Sequence, residues 1–173
     1  MGVLMNKYIF VTNGMARSGK DTFAALMNEF VPTKKYSSID YIKEIAKLCG
    51  WDGQKNEKSR KFLSDLKILT SQYNDLPFRM IQNQIDEFNK DEKCNVLLID
   101  IREPKEIRKL CDKYKDVKTI LIKRNSVKTI TSNMADAGVF NYNYDFVIEN
   151  NGTLDEFKNV VKKFVMENIS IEN

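Results

Sequence analysis

Residues 7–23, KYIFVTNGMARSGKDTF, contain the pattern on which the whole fold prediction rests. An apolar, β-branched run at 8–12 is followed by a loop bounded by Gly14 and Gly19, and residues 23–30 then show a helical pattern. A strand, a glycine-bounded loop with a lysine, and a helix are the ordered parts of a phosphate-binding P-loop. The sequence therefore predicts a nucleotide-phosphate site at the end of the first strand.

The residue types in this loop match the needs of a bound phosphate. Gly14 permits a tight turn off the strand, and Gly19 permits a close backbone approach where a Cβ atom would clash. Backbone N–H groups of the loop and of the first helical turn are donors for phosphate oxygens. Lys20 is predicted to reach the β- and γ-phosphates. The predicted nucleotide-binding residues of the loop are Gly14, Ala16, Arg17, Ser18, Gly19, Lys20, Asp21 and Thr22.

Asp21 departs from the common form of the loop, in which a Ser or Thr hydroxyl after the lysine binds Mg²⁺. A carboxylate at this place can hold the metal through water, or it can sit at the rim of the site. Thr22 follows and is available to the α-phosphate. The sequence thus predicts Mg²⁺ and leaves open whether Asp21 ligates the ion directly.

Composition narrows the class of protein. A chain of 173 residues suits one domain, which we predict to span residues 1–173. The net charge of +4 comes without a basic block, so we expect no nucleic-acid partner, and no apolar run is long enough to predict a membrane helix. The chain contains no histidine, which excludes a Ser-His-Asp triad. Cys49, Cys94 and Cys111 lack metal-ligand spacing and predict buried free thiols in a reducing cytoplasm.

Strand and helix patterns alternate along the rest of the chain. We predict strands at 8–12, 34–39, 95–100, 117–122 and 145–148 and helices at 19–30, 41–49, 57–73, 77–88 and 104–114. Asp40 is predicted to cap the second helix, and Thr153 with Glu156 to cap a last one. Leu69 is predicted to face inward. The alternation predicts a three-layer α/β/α P-loop NTPase fold with a mostly parallel five-stranded sheet.

Asp100 ends the most apolar run of the chain and is expected at the carboxyl edge of the sheet, where open α/β sheets bind ligands. It is predicted to hold Mg²⁺ or its waters. Arg102 follows two residues later and is predicted to grip the transferring or accepting phosphate with its guanidinium fork. The catalytic candidates are Lys20, Asp100 and Arg102, and the metal candidates are Asp21 and Asp100.

Two further segments are assigned to the partners of the reaction. A mostly helical insertion, about residues 36–92, is predicted to cover the acceptor, and a polar segment, about residues 125–144, is predicted to be a lid over the donor phosphates. The predicted acceptor contacts are Asp40, Lys43, Arg60, Arg79 and Arg102. Arg124 and Lys128 are the predicted phosphate contacts at the lid, and Asn151 is expected beside the purine ring of the donor.

Several stretches resemble one family. The loop at 14–22, which ends Gly-Lys-Asp-Thr, resembles that of phage-type deoxynucleoside monophosphate kinases and their bacterial relatives, and residues 48–63, 99–106 and 148–154 are similar to theirs in the same order. The resemblance implies the nucleoside monophosphate kinase fold, with ATP and Mg²⁺ as donor. The Gly-Lys-Asp ending also resembles that of animal-type phosphomevalonate kinases, so the acceptor stays open.

These observations predict an ATP-dependent phosphotransferase that moves the γ-phosphate to a (deoxy)nucleoside monophosphate. One alternative is a kinase of another small phosphorylated metabolite, such as an isoprenoid or cofactor precursor. The other is a non-catalytic nucleotide-binding regulatory module, but residues 89–92 read Asn-Lys-Asp-Glu and only approach the guanine-reading Asn-Lys-x-Asp pattern. The sequence leaves the oligomeric state open, a homodimer included.

Overall fold

The computed structural model describes residues 6–125 and 138–170. Within these residues the strands are β1 Tyr8–Asn13, β2 Thr33–Ser37, β3 Val96–Asp100, β4 Lys118–Lys123 and β5 Phe146–Glu149. The helices are α1 Lys20–Phe30, α2 Asp40–Leu48, α3 Glu57–Asn74, α4 Leu76–Lys90, α5 Pro104–Lys113 and α6 Leu154–Asn168. None of these described helices is both long and apolar enough to cross a membrane.

The five strands form one parallel sheet in the order β2-β3-β1-β4-β5. Thr12 of β1 pairs with Asp100 of β3, and Asp100 also pairs with Ser37 of β2. On the other side, Asn13 pairs with Leu121 of β4. The chain leaves β1 for one side of the sheet and later crosses from β3 to the other side. Open α/β sheets bind ligands beyond the carboxyl ends of the strands at such a switch point, which here lies at β1 and β3.

Apolar side chains cover both faces of the sheet, which explains why the central strands are continuous hydrophobic runs. On one face, Phe10 and Leu98 pack against α1 and α6. On the other face, Val11, Leu97 and Ile99 pack against α4 and α5. These two layers of helices confirm the predicted three-layer fold and its parallel sheet.

The helical insertion has a small core of its own. Ile42 and Ala46 of α2 pack against Leu63 of α3. The prediction that Leu69 faces inward is wrong, because 62% of this residue is exposed. The α2–α3 core involves the first half of the 18-residue α3, and Leu69 lies beyond it.

Two local details also differ from the sequence predictions. The N-cap of α2 is Ile39, and Asp40 is the first helical residue, with a carboxylate that accepts a hydrogen bond from the Ser37 N–H group at 2.9 Å. The three cysteines are free, as predicted, but Cys49 is exposed because it lies just after the end of α2. The capping box of Thr153 and Glu156 at the start of α6 is confirmed.

Candidate phosphate-binding site

The loop between β1 and α1 has the backbone shape that its glycines predict. Gly14 has a φ of 152° and Gly19 a φ of 102°. A Cβ atom on Gly14 would collide with the Ile122 carbonyl oxygen and lie 2.6 Å from the Ser18 hydroxyl. The loop is closed by a hydrogen bond of 3.1 Å from the Ser18 N–H group to the Met15 carbonyl. Gly14 is therefore needed because the loop lies against the end of β4.

Gly19 is needed for a reason that the sequence did not show. A Cβ atom here would collide with the side-chain amide of Asn150, which donates a hydrogen bond of 2.9 Å to the Ser18 carbonyl. The N–H group of Asn150 in turn donates to the Lys123 carbonyl at 2.8 Å. Asn150 is buried and ties the loop to the ends of β4 and β5. Its one sequence signal is an asparagine placed directly after the last strand.

We expect Gly19→Ala to lower the free energy of unfolding more than Gly50→Ala does. Gly50 has a similar φ of 92° but no atom near its hypothetical Cβ. Gly50→Ala should thus cost only the left-handed backbone strain, about 1–2 kcal/mol. Gly19→Ala should cost about 1–3 kcal/mol more, because it also displaces the buried Asn150 amide. Urea unfolding measures both, and equal losses would show that the Asn150 contact is unimportant.

Ser18 carries a buried polar group that is available to a ligand. Its hydroxyl is the one buried side-chain oxygen or nitrogen in the described part of the chain that has no hydrogen-bond partner. A buried hydroxyl without a partner is unfavourable, and such groups in native sites commonly meet a bound ligand or water. Three further predicted loop residues lie beside Ser18. Arg17 is exposed and has a φ of 66°, whereas Ala16 is half-buried. Thr22 is half-buried in the first turn of α1.

Lys20 folds back over the loop. Its Nζ atom donates hydrogen bonds to the carbonyl oxygens of Gly14 at 2.7 Å and Met15 at 3.0 Å. Burial lowers the pKa of Lys20, and the positive charge of Arg102 lowers this pKa further. The two cations therefore lie near enough for their charges to repel each other beside the loop. A multiply charged anion bound there would relieve their repulsion.

Two carboxylates meet at the same edge of the sheet. Asp100 accepts a hydrogen bond from the Thr12 hydroxyl, and its other oxygen lies 2.9 Å from the Nζ atom of Lys35. Lys35 also pairs with Asp21, so one ammonium joins both carboxylates. The side chain of Asp100 is 15% exposed and that of Asp21 is 94% exposed. Asp21 is therefore the outer and Asp100 the inner of the two carboxylates.

Lys35 is a site residue that the sequence analysis missed. Burial alone would lower the pKa of Lys35, but the hydrogen bond to Asp21 and the charge of Asp100 outweigh it and raise this pKa. The same hydrogen bond stabilises the charged carboxylate of Asp21 and therefore lowers the pKa of Asp21. The preceding Lys34 pairs instead with Asp91, outside this cluster. The sequence offered no signal to tell the two lysines apart.

Asn13 is a second missed residue and connects three segments. It is fully buried, and its side-chain oxygen accepts from the Gly14 N–H group at 2.8 Å. Its side-chain amide donates to the Arg102 carbonyl at 3.1 Å and to the Tyr144 hydroxyl at 2.8 Å. Tyr144 donates in turn to the Val139 carbonyl at 2.7 Å. Asn13 thus links the loop, the Arg102 segment and the residues that precede β5.

The predicted acceptor residues are placed in two groups. Asp40 and Lys43 pair at 2.8 Å, and the adjacent Ser38 N–H group donates to the Asp100 carbonyl at 3.1 Å, which puts them beside the phosphate site. Arg60 and Arg79 are exposed on the first turns of α3 and α4. Among the described residues, neither arginine has a side-chain hydrogen bond or ion pair, so no such contact connects them to Asp100.

The insertion is fixed to the site through Lys67 of α3. Its Nζ atom lies 3.0 Å from Glu103 and 2.9 Å from Glu106, just after Arg102. Arg60 precedes Lys67 by seven residues, so both lie on nearly the same face of α3, two turns apart. Helical spacing therefore places Arg60 on the face of α3 that carries Lys67, whose ammonium reaches the segment after β3.

The predicted donor-side residues lie at the ends of β4 and β5. Arg124 directly follows β4 and is exposed. Asn151 follows β5, accepts from the Asn125 N–H group at 2.8 Å and donates to Glu149 at 3.1 Å. Arg124 and Asn151 are therefore neighbours at the same edge. Lys128 and most of the predicted lid lie outside the described residues.

The donor set fits a magnesium ion that shares its ligands with a nucleotide. Within residues 6–125 and 138–170, no group of three or more His, Cys, Asp or Glu residues could hold a metal by itself. Nucleotide-bound Mg²⁺ commonly uses one or two carboxylates and completes its shell with phosphate oxygens and water. Asp21 and Asp100 match that requirement, and the ammonium of Lys35 already places a positive charge between them.

Comparison with known proteins extends the fold assignment. No protein-family model and no curated protein matches the chain. Among solved structures, the dephospho-CoA kinase from Campylobacter jejuni is similar with a TM-score of 0.53 and 19% identity, over 93% of this chain and 97% of that one. TT1252 from Thermus thermophilus is similar with a TM-score of 0.51 and 15% identity, over 95% of this chain and 100% of that one. The likeness extends over nearly the whole of each chain and shows a shared α/β fold, with a parallel five-stranded sheet between two layers of helices.

Proposed function

We propose that this protein is an ATP-dependent phosphotransferase that moves the γ-phosphate of ATP to a (deoxy)nucleoside monophosphate. The observation that carries the proposal is the position of Lys20, folded over the loop at the carboxyl end of β1. Asp100 and Arg102 follow the neighbouring strand β3 at the same edge. This set of charges suits the terminal phosphates of a nucleotide.

The reaction in this proposal needs positioning and charge neutralisation rather than a covalent intermediate. An oxygen of the acceptor phosphate forms a bond to the γ-phosphorus, the bond from that phosphorus to the β,γ-bridging oxygen breaks, and ADP leaves. Lys20 and the loop N–H groups stabilise negative charge on the β- and γ-groups, and Arg102 aligns the two phosphates. Asp100 and Asp21 would hold a Mg²⁺ ion, which would supply further neutralisation of the donor charge. The acceptor oxygen is already anionic, so no general base is required.

The helical insertion supports a small phosphorylated acceptor. Helices α2, α3 and α4 lie between β2 and β3 in the chain, and the contacts of Ser38 and Lys67 bring α2 and α3 next to the ends of those strands. The acceptor contacts in this proposal are Asp40, Lys43, Arg60 and Arg79 of the insertion, together with Arg102. The sequence resemblance to phage-type deoxynucleoside monophosphate kinases favours a nucleotide over other phosphorylated metabolites.

The regulatory alternative has less support. A guanine-reading segment belongs near the nucleotide, whereas Asp91 follows α4 and pairs with Lys34 early in β2. Residues 89–92 therefore lie toward the amino ends of the strands, away from the phosphate loop. A kinase of another small phosphorylated metabolite uses the same donor site and differs only at the insertion.

ADP production from ATP and Mg²⁺, measured against a panel of acceptors, tests the proposal. The panel contains the common ribo- and deoxyribonucleoside monophosphates, a phosphorylated isoprenoid precursor and a phosphorylated cofactor precursor. We expect turnover with one or a few nucleoside monophosphates. Turnover with only a non-nucleotide acceptor would replace the proposed substrate class, and ATP binding with no turnover for any acceptor would favour the regulatory module.

Arg60→Ala and Arg79→Ala are expected to weaken use of the acceptor and not of ATP. Loss of a hydrogen-bonded contact to a charged phosphate costs about 1.5–3 kcal/mol, or on the order of ten- to a hundred-fold in acceptor kcat/KM. Arg60→Lys should rescue poorly, because an ammonium cannot reproduce the planar fork. Kinetics at varied acceptor, with a separate titration of ATP, measure this effect.

Lys61→Ala is the matched control for Arg60→Ala. Lys61 is the next residue on α3 and pairs with Asp65 on an exposed part of the helix. Lys61→Ala should keep the acceptor kcat/KM within about two-fold of the native value, because an exposed ion pair contributes less than about 1 kcal/mol. If both arginine variants weakened ATP binding and spared acceptor kinetics, the acceptor would be assigned to the wrong half of the site.

A further inference from the structure

The ammonium of Lys35 joins two carboxylates that come from different elements. Asp21 is in the first turn of α1, and Asp100 is the last residue of β3. Lys35 Nζ lies 2.9 Å from Asp100 Oδ2 and also donates to Asp21 Oδ1. Its side chain is 29% exposed, against 54% for the neighbouring Lys34. The lysine thus reaches into the site rather than into solvent.

Both carboxylate oxygens of Asp100 already have a partner. Thr12 donates to Oδ1 of Asp100, and Lys35 takes Oδ2. The ammonium of Lys35 lies between Asp21 and Asp100. A divalent ion that bound both carboxylates directly would need the same position, and two cations cannot occupy it together. Metal binding there requires Lys35 to move away.

The other charges of the site act in the same direction. Lys20 and Arg102 lie close enough for the charge of one to affect the other, and Lys20 also senses Lys35 and Asp100. In the absence of a nucleotide, a divalent ion would enter a site that already holds three cations. Nucleotide phosphates reverse this balance, since they add several negative charges and give Lys35 a new partner within reach of its flexible four-carbon stem.

We propose that Lys35 is a tethered counter-ion that holds Asp21 and Asp100 together until a metal–nucleotide complex arrives, so that the protein binds the metal with the nucleotide and only weakly alone. The proposal rests on the proposed function for the identity of the anion that displaces the lysine. It assigns Lys35 a positioning role at the donor site. Lys35 does not replace the metal in the reaction.

Binding of Mn²⁺, as a spectroscopic substitute for Mg²⁺, to the nucleotide-free protein tests the proposal by electron paramagnetic resonance. We expect the native protein to bind Mn²⁺ weakly and Lys35→Met to bind it on the order of ten-fold more tightly, the effect of removing one nearby positive charge. Lys34→Met is the matched control, because Lys34 is on the same strand and pairs with an aspartate elsewhere. It should bind Mn²⁺ as the native protein does.

Two further variants locate the effect. Lys35→Met combined with Asp100→Asn should lose the gained affinity, because Asp100 is the deeper of the two carboxylates. Lys35→Arg, which keeps the charge, should bind Mn²⁺ as weakly as the native protein. Lys35→Gln takes the place of Lys35→Met if circular dichroism shows that the methionine variant is unfolded.

The outcomes separate this inference from the proposed function. Native-like Mn²⁺ affinity in the folded Lys35→Met or Lys35→Gln variant overturns the role of Lys35, and so does a native protein that binds Mn²⁺ equally well with and without ATP. ATP binding is titrated separately in metal-free buffer. A protein that binds no ATP contradicts the proposed function, whereas the nucleotide-free Mn²⁺ affinities still decide whether Lys35 competes with a metal.

Discussion

Lys20→Ala is expected to reduce phosphoryl transfer by on the order of a thousand-fold while the protein stays folded. Loss of one well-placed donor to developing charge typically costs about 2.7–4 kcal/mol in the transition state. Lys20 has no carboxylate partner within hydrogen-bonding distance in the described structure, only the carbonyls of Gly14 and Met15. Its removal should therefore cost little stability, on the order of 1 kcal/mol. Initial rates at saturating ATP and acceptor measure the loss.

The matched control for this prediction is Lys118→Ala. Lys118 is exposed at the first position of β4, at the amino ends of the strands, and the phosphate loop lies at their carboxyl ends. Its removal should leave turnover close to that of the native protein. Near-native turnover in a folded Lys20→Ala protein would remove the loop from the catalytic site.

Asp100→Asn is expected to lower turnover by roughly a hundred-fold or more and to raise the Mg²⁺ concentration needed for half-maximal activity. A bound metal contributes several kcal/mol of charge stabilisation to phosphoryl transfer, and an amide is a much weaker ligand than a carboxylate. The substitution keeps the size of the side chain and its hydrogen bond to Thr12, so the edge of the sheet should keep its shape. Activity measured against Mg²⁺ concentration shows both effects.

Asp91→Asn provides the control for the loss of an aspartate–lysine pair. Asp91 pairs with Lys34 as Asp100 pairs with Lys35, but away from the phosphate loop. Its Mg²⁺ curve should match that of the native protein. An unchanged curve for Asp100→Asn itself would reduce Asp100 to a structural partner of Thr12 and Lys35.

The sequence predicted the features that depend on short segments. The strand, the glycines and the lysine of the loop are local, and a continuous apolar run that ends in Asp100 already implies a buried strand and its carboxyl edge. The parallel sheet followed because strands alternate with helices. That alternation did not predict the order of the strands, nor the lysine that lies between Asp21 and Asp100.

The missed residues make contacts across long sequence separations. Asn150 bonds to Ser18 from 132 residues away, and Asn13 bonds to Tyr144 from 131 residues away. No periodicity or spacing reports such pairs, because each depends on which strand ends lie side by side. Lys35 differs from Lys34 only in the direction of its side chain from β2, and a five-residue strand with two adjacent lysines does not reveal which one faces the site.

The errors have a similar origin. The helical period predicted that Leu69 faces inward, but periodicity does not show how far along α3 the packing against α2 extends. Asp40 looked like a helix cap because an aspartate precedes an apolar pattern. Its carboxylate instead bonds backward to Ser37, and the helix begins one residue earlier than predicted.

The fate of the γ-phosphate, followed by ³¹P nuclear magnetic resonance, tests the central claim most directly. The native protein is incubated with ATP, Mg²⁺ and the best acceptor from the panel, beside Lys20→Ala as the inactive reference. In the native sample, we expect the ATP signals to be replaced by those of ADP and of a new diphosphate on the acceptor, with little inorganic phosphate. The ATP signals of the Lys20→Ala sample should not change. ATP signals that persist with every acceptor, or that convert only to ADP and inorganic phosphate, would contradict it.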